Sequence, residues 1–242
     1  MSNAVILVPW RSDGKGGRRE KLWAHVQKWL IASFPDIPIY MGESPEGPFS
    51  RGAAINDAAR QATESEEHED WEVAIIHDAD NIADPDTVRK AIDRVTETGG
   101  TVYPFSTYIY VDRASTTRIL DGSSWMLAPE HHDDGFMRSV RYHHVSGVQV
   151  MHREALAAIG GYIALEGWGA EDQIVNIMLN TYSLPPEWLE GGAFHLWHLA
   201  KRNDPTDELS EANHQTLAEA SVLAGRPMEL RDFLAKGGHV VP

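Results

Sequence analysis

Asp78 and Asp80, one residue apart, are the first side chains in the chain whose types and spacing suggest chemistry. Carboxylates are hard oxygen ligands, and two at this spacing can share one divalent cation, Mg²⁺ or Mn²⁺, together with a phosphate bound to it. The preceding run Val73-Ala-Ile-Ile76 is small or β-branched and suits a buried strand, which places both aspartates at or just past its C-terminal end. Open α/β sheets bind ligands at that end. A bare Asp-x-Asp also fits a strand followed by a solvated acidic turn, so other segments have to decide. Glu171 and Asp172 follow Gly167-Trp-Gly-Ala170 at the start of an amphipathic helix whose Ile174, Val175 and Met178 face inward. The helix macrodipole accounts for acidic residues in a first turn, but not for a tryptophan between two glycines. His195 and His198 in Phe194-His-Leu-Trp-His198 have a spacing that suits either one helical face or two sides of a metal in a turn. The doublets His131-His132 and His143-His144 lack ligand spacing and read as loop or core residues.

The elements that must carry these groups can be read in outline. Ala4–Val8 reads as a first buried strand, and Arg18–Phe34 has helical spacing at Leu22, Val26, Trp29 and Leu30. A short strand at Pro38–Met41 and an Ala-rich helix at Phe49–Arg60 follow. Asp84 or Asp86 caps a helix over 87–97 that ends at Gly99-Gly100, and Thr101–Phe105 is another strand. This alternation of strand and helix is the mark of a parallel, nucleotide-binding kind of sheet. No Gly-x-Gly-x-x-Gly follows the first strand and no Walker A lysine motif is present, which weighs against dinucleotide and P-loop folds. Residues 106–144 are less regular and suit acceptor-binding loops. Val145–Met151 alternates as a strand, Arg153–Ile159 is a short helix, and 207–224 and 227–236 read as helices packing on the domain.

The 242 residues suffice for one large α/β domain. A formal charge of −15 sets the surface against nucleic acid and anionic membrane, because both modes of binding need Lys and Arg to neutralise phosphates. The exception is the cationic, glycine-rich run Arg11–Lys21, which suits a phosphate; its loop from Gly14 to Arg19 also leaves a nucleotidyltransferase in play. With no cysteine, disulfides and thiolate metal sites are excluded. Nothing reaches the length of a transmembrane helix, and no leader-like segment precedes the first strand, so a cytoplasmic location is expected.

Taken in order, several segments resemble glycosyltransferases of the GT-A fold, most closely the β-1,4-galactosyltransferase-like group. Pro9-Trp10-Arg11 resembles that group's Pro-Phe-Arg, and Phe49-Ser50-Arg51 with Asn56 resembles its Phe-Asn-Arg…Asn element. Asp78-Ala79-Asp80 resembles its Asp-Val-Asp, and Ser146-Gly147-Val148 its Gly-Gly-Val. Gly167-Trp168-Gly169-Ala170-Glu171-Asp172 is similar to Gly-Trp-Gly-Gly-Glu-Asp, and His195-Leu-Trp-His198 to Met-x-x-His. Lys201-Arg202-Asn203-Asp204-Pro205 resembles the loop that follows the last metal ligand. Two departures stand out: Ala170 replaces a glycine and His195 replaces a methionine.

The resemblance implies an α/β GT-A (nucleotide-diphospho-sugar transferase) fold, a Rossmann-like mixed sheet flanked by helices. It runs over roughly residues 4–205 and implies a domain over 1–205, with a nucleotide-binding half to about residue 105 and an acceptor and metal half from about 106 to 205, followed by a C-terminal helical extension over 206–242. It further implies Mn²⁺ (or Mg²⁺) on Asp80, His198 and His195, and a nucleotide-sugar donor, with UDP favoured, beside Pro9, Arg11, Phe49, Arg51, Asp78 and Gly147. Trp168 and Gly169 become a sugar platform, Asp172 a general base, and Glu171 a group that orients hydroxyls. The acceptor (a glycan, protein, lipid or other hydroxyl) is left open. A retaining transferase of the polypeptide N-acetylgalactosaminyltransferase type is the alternative enzyme. A carbohydrate- or nucleotide-binding module without turnover is the alternative outside enzymes.

Overall fold

The computed structural model describes residues 3–12, 14, 16–125, 140–167, 169–199 and 208–237. Trp168, the doublet His131-His132 and the segment Lys201–Pro205 lie outside the described residues.

Among the described residues, two sheets organise the fold. The larger has six strands: β1 (Ala4–Pro9), β2 (Ile39–Gly42), β3 (Val73–His77), β5 (Thr101–Tyr103), β8 (Val148–His152) and β9 (Glu187–Trp188), in the order β2-β1-β3-β8-β5-β9. β1 runs parallel to β2 and β3, while β8 runs antiparallel to both β3 and β5. The parallel pattern expected from the first hundred residues thus holds around β1 and again at the far edge, where β5 runs parallel to β9, but β8, from the second half of the chain, inserts antiparallel between β3 and β5. The central strands are buried on both faces, as their near-continuous apolar runs require. Ile6, Val8 and Ile75 face a core with α1 (Arg18–Ser33) and α3 (Pro85–Thr98). Val5, Leu7, Ala74 and Ile76 face a second core with α2 (Arg51–Glu64), α5 (Arg153–Ala158) and α6 (Glu171–Tyr182). The helices α7 (Glu208–Val222) and α8 (Pro227–Lys236) add Ala220, Leu230 and Leu234 to that second core.

The smaller sheet has four strands in the order β4-β10-β6-β7: β4 (Asn81–Ala83), β6 (Thr107–Tyr110), β7 (Val140–Tyr142) and β10 (Gly192–His195). None of these was expected from the sequence. They run to three or four residues each, too short for alternation to distinguish a strand from a loop. The helix α4 (Arg113–Leu120) follows β6 in the stretch that had read as irregular.

Local chemistry fixes the helix starts that matter here. Ser50 caps α2, its side chain accepting from the Ala53 amide, so Arg51 is the first helical residue. At α3 the cap is Asp84, which accepts from the Asp86 amide, with Pro85 in the first turn and Gly99 in left-handed conformation at the end. Of the two aspartates considered, Asp84 is the cap.

Candidate metal and active site

β3 delivers Asp78 and Asp80 past its end, and the smaller sheet brings the histidines to them. β10 pairs antiparallel with β4 so that His195 stands opposite Asn81, next to Asp80. The Leu196 amide donates to the Asp80 carbonyl at 2.8 Å, which holds the chain beyond His195 against the aspartate turn. The Trp197 amide then donates to Thr116 Oγ1 at 2.8 Å, and Arg18 Nε donates to the Trp197 carbonyl at 2.8 Å. His198 is thereby turned back toward Asp80. The His-x-x-His pair is therefore a strand end and a turn, not a helical face.

Asp80 Oδ2 lies 3.0 Å from His198 Nε2 and 3.8 Å from His195 Nε2. One donor atom from each of the three residues lies within 4.8 Å of the others. Around an ion bound at about 2.1 Å, neighbouring ligands stand roughly 3 Å apart and opposed ones roughly 4.2 Å, and the separations of 3.0 and 3.8 Å from Asp80 to the two histidines fall in that range. The electrostatics agree. Burial opposes the charge on Asp80, yet His195, His198 and Arg19 hold it well below the usual carboxylate range. Burial lowers His195 and so favours the neutral imidazole that ligates metals. For His198, burial is outweighed by the hydrogen bond and charge of Asp80, and its pKa is raised.

A second group lies beside the first. Arg51 Nε donates to Asp78 Oδ1 at 2.7 Å, and Arg51 Nη1 donates to Asp172 Oδ1 at 2.7 Å. One guanidinium thus joins the Asp-Ala-Asp turn to the first turn of α6. All three side chains are less than one-fifth exposed. Burial works against the charge on Arg51, but Asp172 and Asp78 outweigh it and keep the cation firmly protonated. Burial pushes Asp78 up to about 7, with Arg51 pulling the other way. The Tyr162 hydroxyl also donates to Asp172 Oδ1, in a short hydrogen bond, so that one oxygen is held by two donors. Tyr162 is fixed in turn by Asn56, which accepts from its amide and donates to its carbonyl, both at 2.8 Å. Burial, then the charge of Asp172, pushes Glu171 up to about 7.

The loop that leads into α6 is shaped tightly. Gly167, Gly169 and Ala170 all have positive φ, at 84°, 100° and 73°. Only the last carries a Cβ, and it forms the N-terminal boundary of α6 without a side-chain cap. The helix α7 packs under this loop: Asn213 Nδ2 donates to the Glu166 carbonyl at 2.9 Å, and a Cβ at Gly167 or Gly169 would meet Leu209 or His214.

The remaining sequence candidates surround these two groups. Pro9 ends the buried strand β1. Arg11 donates to the Gly47 and Ser44 carbonyls at 2.6 and 3.0 Å and lies over the Phe49 ring at 5.5 Å. Its guanidinium ties down the loop before Phe49. The Gly147 carbonyl accepts from the Asp78 amide at 2.8 Å, which sets the aspartate turn against β8. Sequence reasoning missed Tyr162, Asn81, Tyr108, Thr116 and Asn213. Many of their contacts join residues far apart in the chain, 27 positions for Tyr108 to Asn81, 81 for Thr116 to Trp197 and 111 for Tyr162 to Arg51, and no local pattern announces these.

No protein-family model matches the chain, and no curated protein sequence matches it. Among solved structures, it is similar to the catalytic domain of Drosophila β1,4-galactosyltransferase 7 in complex with xylobiose. Identity is 17% over 88% of this chain and 80% of that one, with a TM-score of 0.50. A mutant of the same Drosophila enzyme in complex with manganese, UDP-Gal and xylobiose gives 18% identity over 86% and 76%, also with a TM-score of 0.50. The chain has the GT-A glycosyltransferase fold.

Proposed function

We propose that this chain is a metal-dependent glycosyltransferase that moves a sugar from a nucleoside-diphosphate sugar, UDP in the first instance, to an acceptor hydroxyl with inversion at the anomeric carbon. The observation that carries this reading is the adjacency of two chemistries. A three-residue cation site is joined through Asp78 and Arg51 to a carboxylate, Asp172, held by two donors on one oxygen. The structural neighbours support it, one being a galactosyltransferase with manganese, UDP-Gal and xylobiose.

Asp80, His195 and His198 would hold the cation. One carboxylate oxygen and two imidazole nitrogens suit Mn²⁺ or another first-row divalent ion better than Mg²⁺, which favours an all-oxygen shell. When bound, the ion supplies Lewis-acid neutralisation of the charge that develops on the departing diphosphate. Arg19, whose charge acts on both Asp80 and His198 and whose guanidinium lies over the Trp10 ring at 5.6 Å, adds a positive charge on the same side. Arg11 and Phe49 shape the nucleotide end. Asp78, paired with Arg51, faces the ribose or donor sugar. Arg51 also neutralises Asp172, so donor and acceptor elements share one positive charge.

Asp172 is the general base. Its Oδ2 takes the proton of the acceptor hydroxyl as the acceptor oxygen bonds to the anomeric carbon and the bond from that carbon to the diphosphate oxygen breaks. Arg51 and Tyr162 fix the carboxylate in one orientation, which supplies the positioning on which such a step depends. Glu171, able to keep its proton near neutral pH, donates to an acceptor or donor oxygen. Trp168 and Gly169 keep the role that the sequence resemblance implies for them, a platform for a sugar. The test is the product: incubation with UDP-sugars, Mn²⁺ and a panel of saccharide acceptors, read by proton NMR at the anomeric position. An inverted linkage, lost in Asp172→Asn, is expected. A retained linkage would remove Asp172 from the role of base and favour the N-acetylgalactosaminyltransferase type of chemistry.

A further inference from the structure

Asn81 is fully buried and Tyr108 nearly so, at 0% and 1% exposure, in the wall behind the cation site. A buried amide has to satisfy both its donor and its acceptor ends. Asn81 does so in one line: its Oδ1 accepts from the Tyr108 hydroxyl at 2.8 Å, and its Nδ2 donates to Asp80 Oδ1 at 3.0 Å. The opposite oxygen of the same carboxylate, Oδ2, is the one that faces His195 and His198. The smaller sheet builds this line, because β4 places Asn81 opposite His195 on β10, and β10 places His195 opposite Tyr110, two residues after Tyr108. Gly147 closes it from the far side. With φ at 91°, a Cβ there would come within 2.6 Å of the Tyr108 ring and 2.8 Å of both Asn81 Oδ1 and the Tyr108 hydroxyl.

We infer that Tyr108 and Asn81 are positioning residues for the cation site: they hold Asp80 Oδ1 so that Oδ2 is presented to a metal shared with the two histidines. Gly147, placed at the donor pocket by resemblance, has the further task of leaving room for this pair. The inference rests on the reading of Asp80, His195 and His198 as metal ligands. Outer partners of ligating carboxylates commonly govern affinity by 10- to 100-fold.

The test is Mn²⁺ affinity of the nucleotide-free protein, measured by the free-ion EPR signal, alongside the melting temperature in chelator. Asn81→Ala is expected to weaken Mn²⁺ binding by about 10- to 100-fold. Tyr108→Phe keeps the ring and its packing, removes only the hydroxyl, and is expected to weaken binding several-fold with a near-normal melting temperature. It carries the test should Asn81→Ala fold poorly. Equal Mn²⁺ affinity in wild type and in folded Tyr108→Phe and Asn81→Ala would overturn the positioning role while leaving the metal site intact. No Mn²⁺ binding by the wild type would overturn both.

Discussion

At Ala170 a single methyl group departs from what the backbone asks. Its φ of 73° lies in the left-handed region, which costs an L-residue roughly 1–2 kcal/mol. Part of that is returned because alanine restricts the unfolded chain more than glycine does. Ala170→Gly is therefore expected to stabilise the protein by about 0.5–1 kcal/mol, read as a higher urea midpoint with an unchanged slope. Two residues on, the acidic pair sets a pH dependence. Glu171 is pushed from 4.5 to about 7 in the fold, first by burial and then by Asp172. The folded state thus holds this proton more tightly than the unfolded one. Its contribution is fully present below about pH 4.5 and is lost as pH rises through 7. Glu171→Gln, which is neutral throughout, should gain in melting temperature relative to wild type as pH is raised from 4.5 to 8. A constant difference across that range would contradict the assignment.

Among the elements, those with long apolar runs were legible. β1 and β3 announced themselves by continuous burial, and α1 by the spacing of Leu22, Val26 and Leu30, because each signal is local. The aspartates, the acidic first turn of α6 and the two histidines could also be picked out as chemically apt. What joins them could not. The smaller sheet is assembled from strands far apart in sequence, and Arg51 reaches Asp172 across 121 residues. Asn81 carried no role in the sequence reading, although its side chain lies in the core. The helix α7 shows the same limit: it read as a helix packing on the domain, with no sign that Asn213 would hold the Glu166 carbonyl at the edge of the glycine loop. Asn213→Ala leaves that carbonyl without its donor and is expected to cost about 1–2 kcal/mol. In kinetics it should raise the acceptor KM or lower kcat several-fold with the donor KM little changed. An equal effect on donor and acceptor would place α7 outside loop positioning.

The whole molecule is strongly acidic, with a charge of −15 and a pI near 5.1, while the proposed donor is itself a multiply charged anion. Such a surface gives no general attraction for a nucleotide. In the proposed function, binding comes from a local reversal of sign, supplied by Arg11 and Arg19 and, above all, by a cation on Asp80, His195 and His198. This makes metal and nucleotide binding interdependent. The most direct measurement is a thermal-shift panel of nucleoside diphosphates, each with Mn²⁺ and with chelator. A ligand at about 100 times its Kd adds roughly 2.7 kcal/mol, or about 5–10 °C for a domain of this size. UDP with Mn²⁺ is expected to give such a shift in wild type, and chelator, Asp80→Ala or His198→Ala is expected to abolish it. No shift with any nucleotide where control proteins respond, or a UDP shift that persists undiminished in chelator, would contradict the account.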